Sequence, residues 1–206
     1  MAAALFVIDI QNDLATDPAT RIPDASRIIS SGDKILSAAR AVLQQAENDP
    51  DRSRLKTIVF VQHEEKPEDG PLVRGSDPWK LVFEPLPGDA RERLVAKWTR
   101  DAFESNPGLA SELRASGVDE ILAFGIQSEC CVESTCAGAL AAGFRVTLLA
   151  GAHSTYDAGG GGGGGKTAAE IEREVEERLR RRGAAVVPWQ DLVAAWARCG
   201  GCQDDS

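Results

Sequence analysis

Cys131 has the position expected of a chemically reactive cysteine. The apolar run 121–124 predicts a buried strand that Gly125 ends, and the small residues after Cys131 recur at helical spacing. Cys131 therefore falls in the first turn of a predicted helix. Unpaired backbone N–H groups and the positive end of the helix dipole there favour a thiolate, which is the nucleophilic form of the side chain.

Two further ionisable residues follow predicted strands in the same way. Asp9 comes after the first apolar run, Lys97 after the third and Cys131 after the fourth. In open α/β sheets, ligands bind beyond the carboxyl ends of the strands. Taken singly, these residues suit a turn, an exposed strand end and a small core side chain. Together they indicate a site, although they do not identify a reaction.

The elements that would position these residues alternate between strand and helix. Apolar runs predict six strands, at residues 4–8, 57–62, 93–96, 121–124, 145–150 and 184–187. Helical spacing covers residues 33–47 and 170–182, and Asn106-Pro107 predicts a helix that ends at Gly117. This alternation predicts an α/β fold, a three-layer αβα sandwich around a mostly parallel six-stranded sheet.

Three segments depart from this pattern within what we expect to be a single domain, residues 1–206. Residues 63–92 form a long excursion rich in Pro, Gly and charge, which is typical of a functional or a disordered loop. The glycine run 159–165 lacks the spaced pattern of a phosphate-binding loop, so we expect a flexible loop. Residues 199–206 are expected to be a frayed tail.

Composition restricts the partners. The net charge is −9 and the pI is near 4.8, which argues against nucleic acid and against an anionic membrane. The first residues carry no basic leader, and their apolar stretch stops at Asp9. Five cysteines without framework spacing indicate a reducing compartment. We expect a cytoplasmic protein that acts on a small molecule and forms a homo-oligomer.

Three motifs make the chain resemble a known superfamily. They are LFVIDIQND, VAKWTRDAF and GIQSECCVESTCAGALAAGFRVTLL, in this order, and the resemblance covers residues 4–156 with a tail to residue 196. The chain resembles the isochorismatase-like cysteine hydrolases, which include nicotinamidases and other small-amide hydrolases. By this resemblance Asp9, Lys97 and Cys131 correspond to a catalytic triad, and Ser128 keeps the hydroxyl of a position that is usually Thr.

The resemblance implies a distinct role for each of these residues. Asp9 would take the proton of Cys131, pass it to the leaving nitrogen and later activate water, while Lys97 would hold the carboxylate and balance charge. The protonation steps of so coupled a group would belong to the cluster. Backbone N–H groups of Cys131 and Gln127 would meet the oxyanion, and the family carries a cis peptide that here would join Ile126 and Gln127.

Other cysteines and the two histidines provide alternatives. Cys130 adjoins Cys131, and only the family's Cys-Val pair selects the second sulfur; Cys136 is expected in the core. A Cys-His pair with His63 or His153 is conceivable, but nothing local supports it. His63 lies where nicotinamidases have an Asp-x-His metal set, which this chain lacks. We therefore predict no metal, no other cofactor and a substrate other than nicotinamide.

Pocket residues are predicted on weaker grounds. For Arg74, Trp79, Trp98 and Phe103, a solvated loop charge and partly buried aromatic rings are equally good interpretations. The full set of pocket candidates consists of Gln11, His63, Arg74, Trp79, Trp98, Phe103 and Ser128.

The sequence favours hydrolysis of a small amide or a related C–N bond through a thioester on Cys131. One alternative is isochorismatase-type cleavage of a vinyl ether, against which Cys131 argues because that chemistry needs no cysteine nucleophile. The other is a non-catalytic small-molecule or redox-sensing protein on the same fold, in which Cys131 would form a disulfide with Cys130 or Cys136.

The choice between adjacent sulfurs is directly testable. We expect Cys131→Ala to abolish amide turnover and Cys130→Ala to retain most of it, because only Cys131 matches the Cys-Val pair. Initial rates of ammonia release measure the outcome. Equal losses in the two variants, or iodoacetamide labelling confined to Cys130, would show that the assignment to Cys131 is wrong.

Overall fold

One parallel sheet organises the protein. The structure is a computed structural model that describes residues 2–45, 54–159 and 165–200. Six strands pair in the order β3-β2-β1-β4-β5-β6, and all five pairs are parallel. The strands are β1 (Ala3–Ile8), β2 (Leu55–His63), β3 (Glu92–Lys97), β4 (Glu120–Ile126), β5 (Arg145–Ser154) and β6 (Ala185–Pro188). The predicted fold class is confirmed, and every predicted strand is present with shifted ends.

Seven α-helices and one π-helical turn lie among the described residues. The helices are α1 (Asn12–Ala15), α2 (Ala25–Gln45), α3 (Ala102–Ser105), α4 (Leu109–Ala115), α5 (Glu133–Ala141), α6 (Ala168–Arg181) and α7 (Trp189–Gly200). The π-helical turn, Ser128–Val132, joins β4 to α5. Within the described part of the chain, every helix is too short or too polar to cross a membrane.

Helices cover both faces of the sheet. On one face, Leu5 and Val7 of β1 pack with buried residues of α2, and side chains of α7 pack against this cluster. On the other, Phe6 and Ile8 pack with buried residues of α3, α4, α5 and α6. Because neighbouring residues of β1 point to opposite faces and both faces are covered, the strand is apolar at every position.

The strand order creates a topological switch point between β1 and β4. From β1 the chain moves outward to β2 and β3, and it then returns to place β4 on the other side of β1. Crevices at the carboxyl ends of strands at such a point are the usual ligand sites of open α/β sheets. Asp9 follows β1 and the π-helical turn follows β4, so both lie at this crevice.

One predicted helix start was wrong. The helix predicted at Asn106-Pro107 begins at Leu109, after Gly108. Asn106 instead follows α3, and its side-chain amide donates to the carbonyl oxygens of Ala96 and Ala102, each at 3.0 Å. Its amide therefore ties α3 to the end of β3 and does not cap α4.

The long excursion between β2 and β3 is an ordered cover over the sheet end. Asn12 N–H donates to Lys80 C=O at 2.9 Å, and Val82 N–H donates to Ile10 C=O at 2.9 Å. Of the predicted flexible run, residues 160–164 lie outside the described residues, and Ala158 and Lys166 pair beside it. Helix α7 continues to Gly200, and the rest of the predicted tail, residues 201–206, also lies outside the described residues. The single-domain organisation stays a prediction.

Gly125 allows β4 to lie close beside β1 at the switch point, and the need for a glycine there is testable. Its φ is +141°, and a Cβ atom there would overlap the carbonyl oxygen of Ile8 and lie 2.8 Å from the carbonyl carbon. Gly88 has a φ of +83° and open space around the same position. We expect Gly125→Ala to lower the free energy of unfolding by at least about 2 kcal/mol more than Gly88→Ala. Urea titration of both variants measures this; equal losses would contradict the proposed overlap.

Candidate active site

Four adjacent strands each supply one side chain to the same crevice. Lys97 ends β3, His63 ends β2, Asp9 follows β1, and Cys131 lies in the turn after β4. His63 and Lys97 are partners in the register of β2 and β3. Because parallel strands end at one edge of the sheet, residues far apart in the sequence converge there.

The Lys97 ammonium lies at the centre of this group. Its Nζ atom is 2.8 Å from Asp9 Oδ2, 3.2 Å from Cys131 Sγ and 3.1 Å from His63 Nδ1. It also donates to the carbonyl oxygen of Thr99 at 3.1 Å. The Lys97 side chain is 0% exposed and that of Asp9 is 1% exposed. The structure thus brings Asp9 and Cys131 into contact with Lys97, the buried cation and third residue of the predicted triad.

Asp9 is held in an unusual backbone conformation. Its φ of 48° lies in the left-handed region, which costs a non-glycine residue about 1–3 kcal/mol. Asp9 N–H donates to Val61 C=O at 3.0 Å, and Asp9 C=O accepts from Gln11 N–H at 3.0 Å. Among the described residues, neither carboxylate oxygen has a well-directed hydrogen-bond donor. The carboxylate is held against Lys97 as an ion pair, with 2.8 Å between Oδ2 and Nζ.

The turn that carries Cys131 is wider than an α-helical turn. Val132 N–H donates to Gln127 C=O at 3.1 Å, five residues back, and the Ile126–Gln127 peptide bond is cis. Ser128, which begins the turn, is fully buried, and Cys131 is partly buried against the core. The Cys131 sulfur thus lies 3.2 Å from Lys97 Nζ, on a short segment that follows β4 directly.

The structure corrects the expected ionisation of Cys131. Burial and the Asp9 carboxylate raise the pKa of the thiol well above its usual range, although Lys97 acts in the opposite direction. The helix-start argument predicted a thiolate, but removal from water outweighs it. The pKa of Lys97 is raised: burial lowers it, but Asp9 and Cys131 more than compensate. At neutral pH the resting site holds a thiol beside an ammonium ion.

His63 is a neutral member of the group. Burial and the Lys97 charge lower its pKa, while Asp9 and Glu65 act in the opposite direction. A neutral imidazole has one ring nitrogen without a proton, and Nδ1 accepts from Lys97 in this arrangement. His63 therefore helps to solvate the buried ammonium without adding charge.

A family model confirms the resemblance. The Isochorismatase domain model matches residues 3–191 of the chain. The chain belongs to the isochorismatase family.

Relatives of this isochorismatase-family chain include hydrolases of known name. A streptothricin hydrolase from Streptomyces noursei is 35% identical over 156 residues, covering 75% of this chain and 55% of the relative. The chain thus spans about half the length of the streptothricin hydrolases that it matches. A cysteine hydrolase from Pseudomonas syringae pv. phaseolicola has a TM-score of 0.76 at 20% identity, covering 96% of this chain and 93% of that one.

A further structure with this fold is the N-carbamoylsarcosine amidase from Thermoplasma acidophilum. Its TM-score is 0.69 at 23% identity, and the match covers 92% of this chain and 97% of that one. At such identities the two structural likenesses establish the fold alone.

Three of the clustered residues are also types that bind metal ions. Asp9, His63 and Cys131 have ligand atoms within 4.8 Å of one another. However, Lys97 Nζ lies within 3.2 Å of an atom of each of them and occupies the space between them. A metal ion there would have to displace a buried ammonium that supplies positive charge at the same point. The arrangement favours lysine over a metal as the cation of the site, and independence from metal stays a prediction.

Gln11 and Trp79, two predicted pocket residues, join the excursion to the sheet. The Gln11 side-chain amide donates to the carbonyl oxygens of His63 at 2.9 Å and Trp79 at 2.7 Å, and its oxygen accepts from His63 N–H at 2.9 Å. Gln11 is fully buried, so its contacts are those of a clamp that holds the end of β2. The buried indole Nε1 of Trp79 has no partner among the described residues.

The other pocket candidates are dispersed. Arg74 is 70% exposed and pairs with Glu64 at 3.0 Å, as a solvated loop charge does. Trp98 adjoins Lys97 and is 63% exposed. Phe103 is buried, and its ring stacks on Phe6 at 5.8 Å between centroids, which is a core packing contact.

Sequence reasoning missed two partners of the site. Thr99 contributes a carbonyl oxygen to Lys97, and no sequence pattern marks a backbone acceptor of this kind. His153 is fully buried with Nδ1 2.8 Å from Ser128 Oγ. From the sequence, His153 is a candidate only as a partner in a Cys-His pair, and the residue lies beyond the predicted strand 145–150. Cys136 is buried in the core as predicted, and burial raises its pKa to about 12.

The charge balance around Cys131 predicts that one substitution can speed alkylation of the thiol and slow substrate turnover. Asp9 raises the pKa of the thiol and Lys97 lowers it, so Asp9→Asn should lower that pKa while removing the carboxylate that the resemblance implies as proton acceptor. At pH 7 we expect amide turnover to fall about 10²–10⁴-fold, but iodoacetamide alkylation to accelerate at least about threefold. In the parent protein, alkylation should rise with pH up to pH 9, because the thiol pKa is raised.

Alkylation is best measured by mass spectrometry in a Cys130→Ala background. Glu65→Gln is a matched control, since Glu65 is a second carboxylate near the site and lies 3.9 Å from His63 Nε2. Its alkylation rate should equal that of the parent. Slower alkylation in Asp9→Asn would contradict the charge balance described for the site.

Proposed function

We propose that this protein is a cysteine hydrolase that cleaves a small amide or a related C–N bond through a thioester on Cys131. The observation that carries the proposal is the Lys97 ammonium, which lies 2.8 Å from Asp9 and 3.2 Å from Cys131 in a buried crevice. A nucleophile, a proton acceptor and a cation at these distances are the groups that acyl transfer requires.

The first step is attack on the substrate carbonyl. Cys131 Sγ forms the bond to carbon while its proton passes to Asp9, whose oxygens lack well-directed donors among the described residues. Burial and the Asp9 carboxylate raise the pKa of the Cys131 thiol, so in this proposal the proton passes to Asp9 as the sulfur attacks. Backbone N–H groups of Cys131 and Gln127 receive the oxyanion in this proposal.

The second step releases the amine and the third restores the enzyme. Asp9 returns the proton to the leaving nitrogen as the C–N bond breaks, which leaves the acyl group on sulfur as a thioester. Asp9 then removes a proton from water as the water oxygen attacks the thioester carbon. The C–S bond breaks, the acid leaves, and Asp9 passes the proton to the sulfur, which restores the thiol. Lys97 remains protonated and stabilises whichever of Asp9 and Cys131 carries the negative charge.

The substrate class is a small molecule with an amide or carbamoyl group. In support, a relative at 35% identity is named a streptothricin hydrolase, and a structure of the same fold is named an N-carbamoylsarcosine amidase. Vinyl-ether hydrolysis makes no use of Cys131. A redox-sensing role makes no use of Asp9 or Lys97, and Cys136 is a poor disulfide partner because it is fully buried. We further propose a homo-oligomer that requires no metal or other cofactor.

A substrate screen with a nucleophile control tests this function. We expect ammonia or amine release from at least one member of a panel of small amides, ureides and carbamoyl compounds, and rapid quenching should trap an acyl adduct on Cys131. Activity should survive extensive chelation, with no stoichiometric metal bound. The Cys131→Ala variant should show neither release nor adduct.

Two results would overturn the proposal in different ways. Release that persists in Cys131→Ala would exclude the thioester route. A chelation-dependent loss that zinc or iron restores would shift the assignment toward a nicotinamidase, and His63 would be the first ligand to examine.

A further inference from the structure

His153, near the end of β5, is a buried histidine that the proposed reaction leaves unused. It is 0% exposed, and its two ring nitrogens face different elements. Nδ1 lies 2.8 Å from Ser128 Oγ in the π-helical turn, and Nε2 lies 3.5 Å from Glu176 Oε1 of α6. Among the described residues Nε2 has no hydrogen-bond partner, so Ser128 provides the ring's one side-chain hydrogen bond and Glu176 a contact of charge only.

Glu176 is the acidic neighbour of His153 Nε2. His153 and Arg180 lower the pKa of Glu176, so Glu176 is a carboxylate at neutral pH and can only accept hydrogen bonds. At 3.5 Å this contact is not a well-directed hydrogen bond, and it is the negative charge of the carboxylate that favours a proton on Nε2 over Nδ1. In the neutral ring Nδ1 is then an acceptor, and Ser128 must donate its hydroxyl proton to it.

Ser128 connects His153 and Glu176 to the turn that carries the Cys131 sulfur. It is the first residue of the π-helical turn, three residues before Cys131, and its side chain is fully buried. The hydrogen bond between the Ser128 hydroxyl and His153 Nδ1 joins the start of the turn to β5, the strand that pairs with β4. Displacement of a nucleophile by about 1 Å can reduce a rate about 10²-fold.

We propose that His153 is a positioning residue which, held by Glu176 in the Nε2–H tautomer, fixes the Ser128 hydroxyl as a donor and so sets the position of Cys131. The effect on turnover rests on the proposed function. The tautomer and the hydrogen bond do not, and they are measurable in the resting protein whether or not an amide substrate is found.

The tautomer is accessible by nuclear magnetic resonance because the chain has two histidines. In protein labelled with ¹⁵N-histidine, His153→Asn removes one ring and assigns the other to His63. We expect His153 to show a protonated Nε2 and an unprotonated Nδ1 at pH 7. A protonated Nδ1, in a neutral ring or an imidazolium, would overturn the proposal, because Ser128 could not then donate to it.

Turnover distinguishes positioning from general stability. We expect His153→Leu and Ser128→Ala each to lower kcat about 10- to 100-fold with little change in KM, because the turn shifts while the pocket remains. If His153 acts through Ser128, the double variant should be no slower than the slower single variant. His153→Asn should recover part of the loss, since its amide oxygen can accept from Ser128.

Ser154→Ala provides a matched control. Ser154 is the next residue, is equally buried, and donates its hydroxyl to Glu172 at 2.6 Å and not to the turn. It should lower thermal stability but leave kcat unchanged. Multiplicative losses in the double variant, or a kcat loss in Ser154→Ala as large as that in His153→Leu, would reduce His153 to a structural role.

If the parent protein hydrolyses no substrate of the panel, the proposed function fails. In that case the tautomer measurement still decides whether Ser128 donates a hydrogen bond to His153. If the His153→Leu variant does not fold, His153→Asn and Ser128→Ala carry the kinetic comparison.

Discussion

The buried Lys97 ammonium is the interaction on which the site depends. Removing a charge from water costs several kcal/mol, and the charge is tolerated only with close partners. Asp9 and Cys131 supply charge or polarisability, while His63 and the Thr99 carbonyl supply lone pairs. Loss of one partner from a buried ion pair typically costs about 3–5 kcal/mol, because the other charge remains buried. Catalytic geometry and local stability are therefore maintained by the same contacts.

The parallel sheet makes this arrangement possible. Its order places the ends of β3, β2, β1 and β4 side by side, so Lys97, His63, Asp9 and the turn bearing Cys131 meet at one edge. The left-handed conformation of Asp9 is stabilised by backbone bonds to its neighbours. Apolar layers pack on both faces of the sheet behind the strand ends, and the side chains of Lys97 and Asp9 are buried. Burial strengthens the charge interactions between them.

The resting ionisation follows from this burial. A helix start near Cys131 predicts an activated thiolate, but burial and the Asp9 carboxylate keep the proton on sulfur. In the proposed reaction, activation then depends on a substrate that accepts the sulfur as Asp9 accepts the proton. The same logic of tertiary contacts applies to His153: its local sequence is uninformative, whereas its two partners on different elements restrict its hydrogen bonding.

The sequence by itself determined the fold class and the residues that meet in the site. Six apolar runs define the strands because a sheet covered on both faces requires apolar side chains at consecutive positions, and Asp9, Lys97 and Cys131 follow those runs. Only the tertiary structure decided how they are used. The clamp made by Gln11, the central place of Lys97 and the protonated thiol depend on distances and burial between elements remote in the sequence. Local patterns specify backbone conformation and side-chain type, whereas electrostatic environment arises from packing.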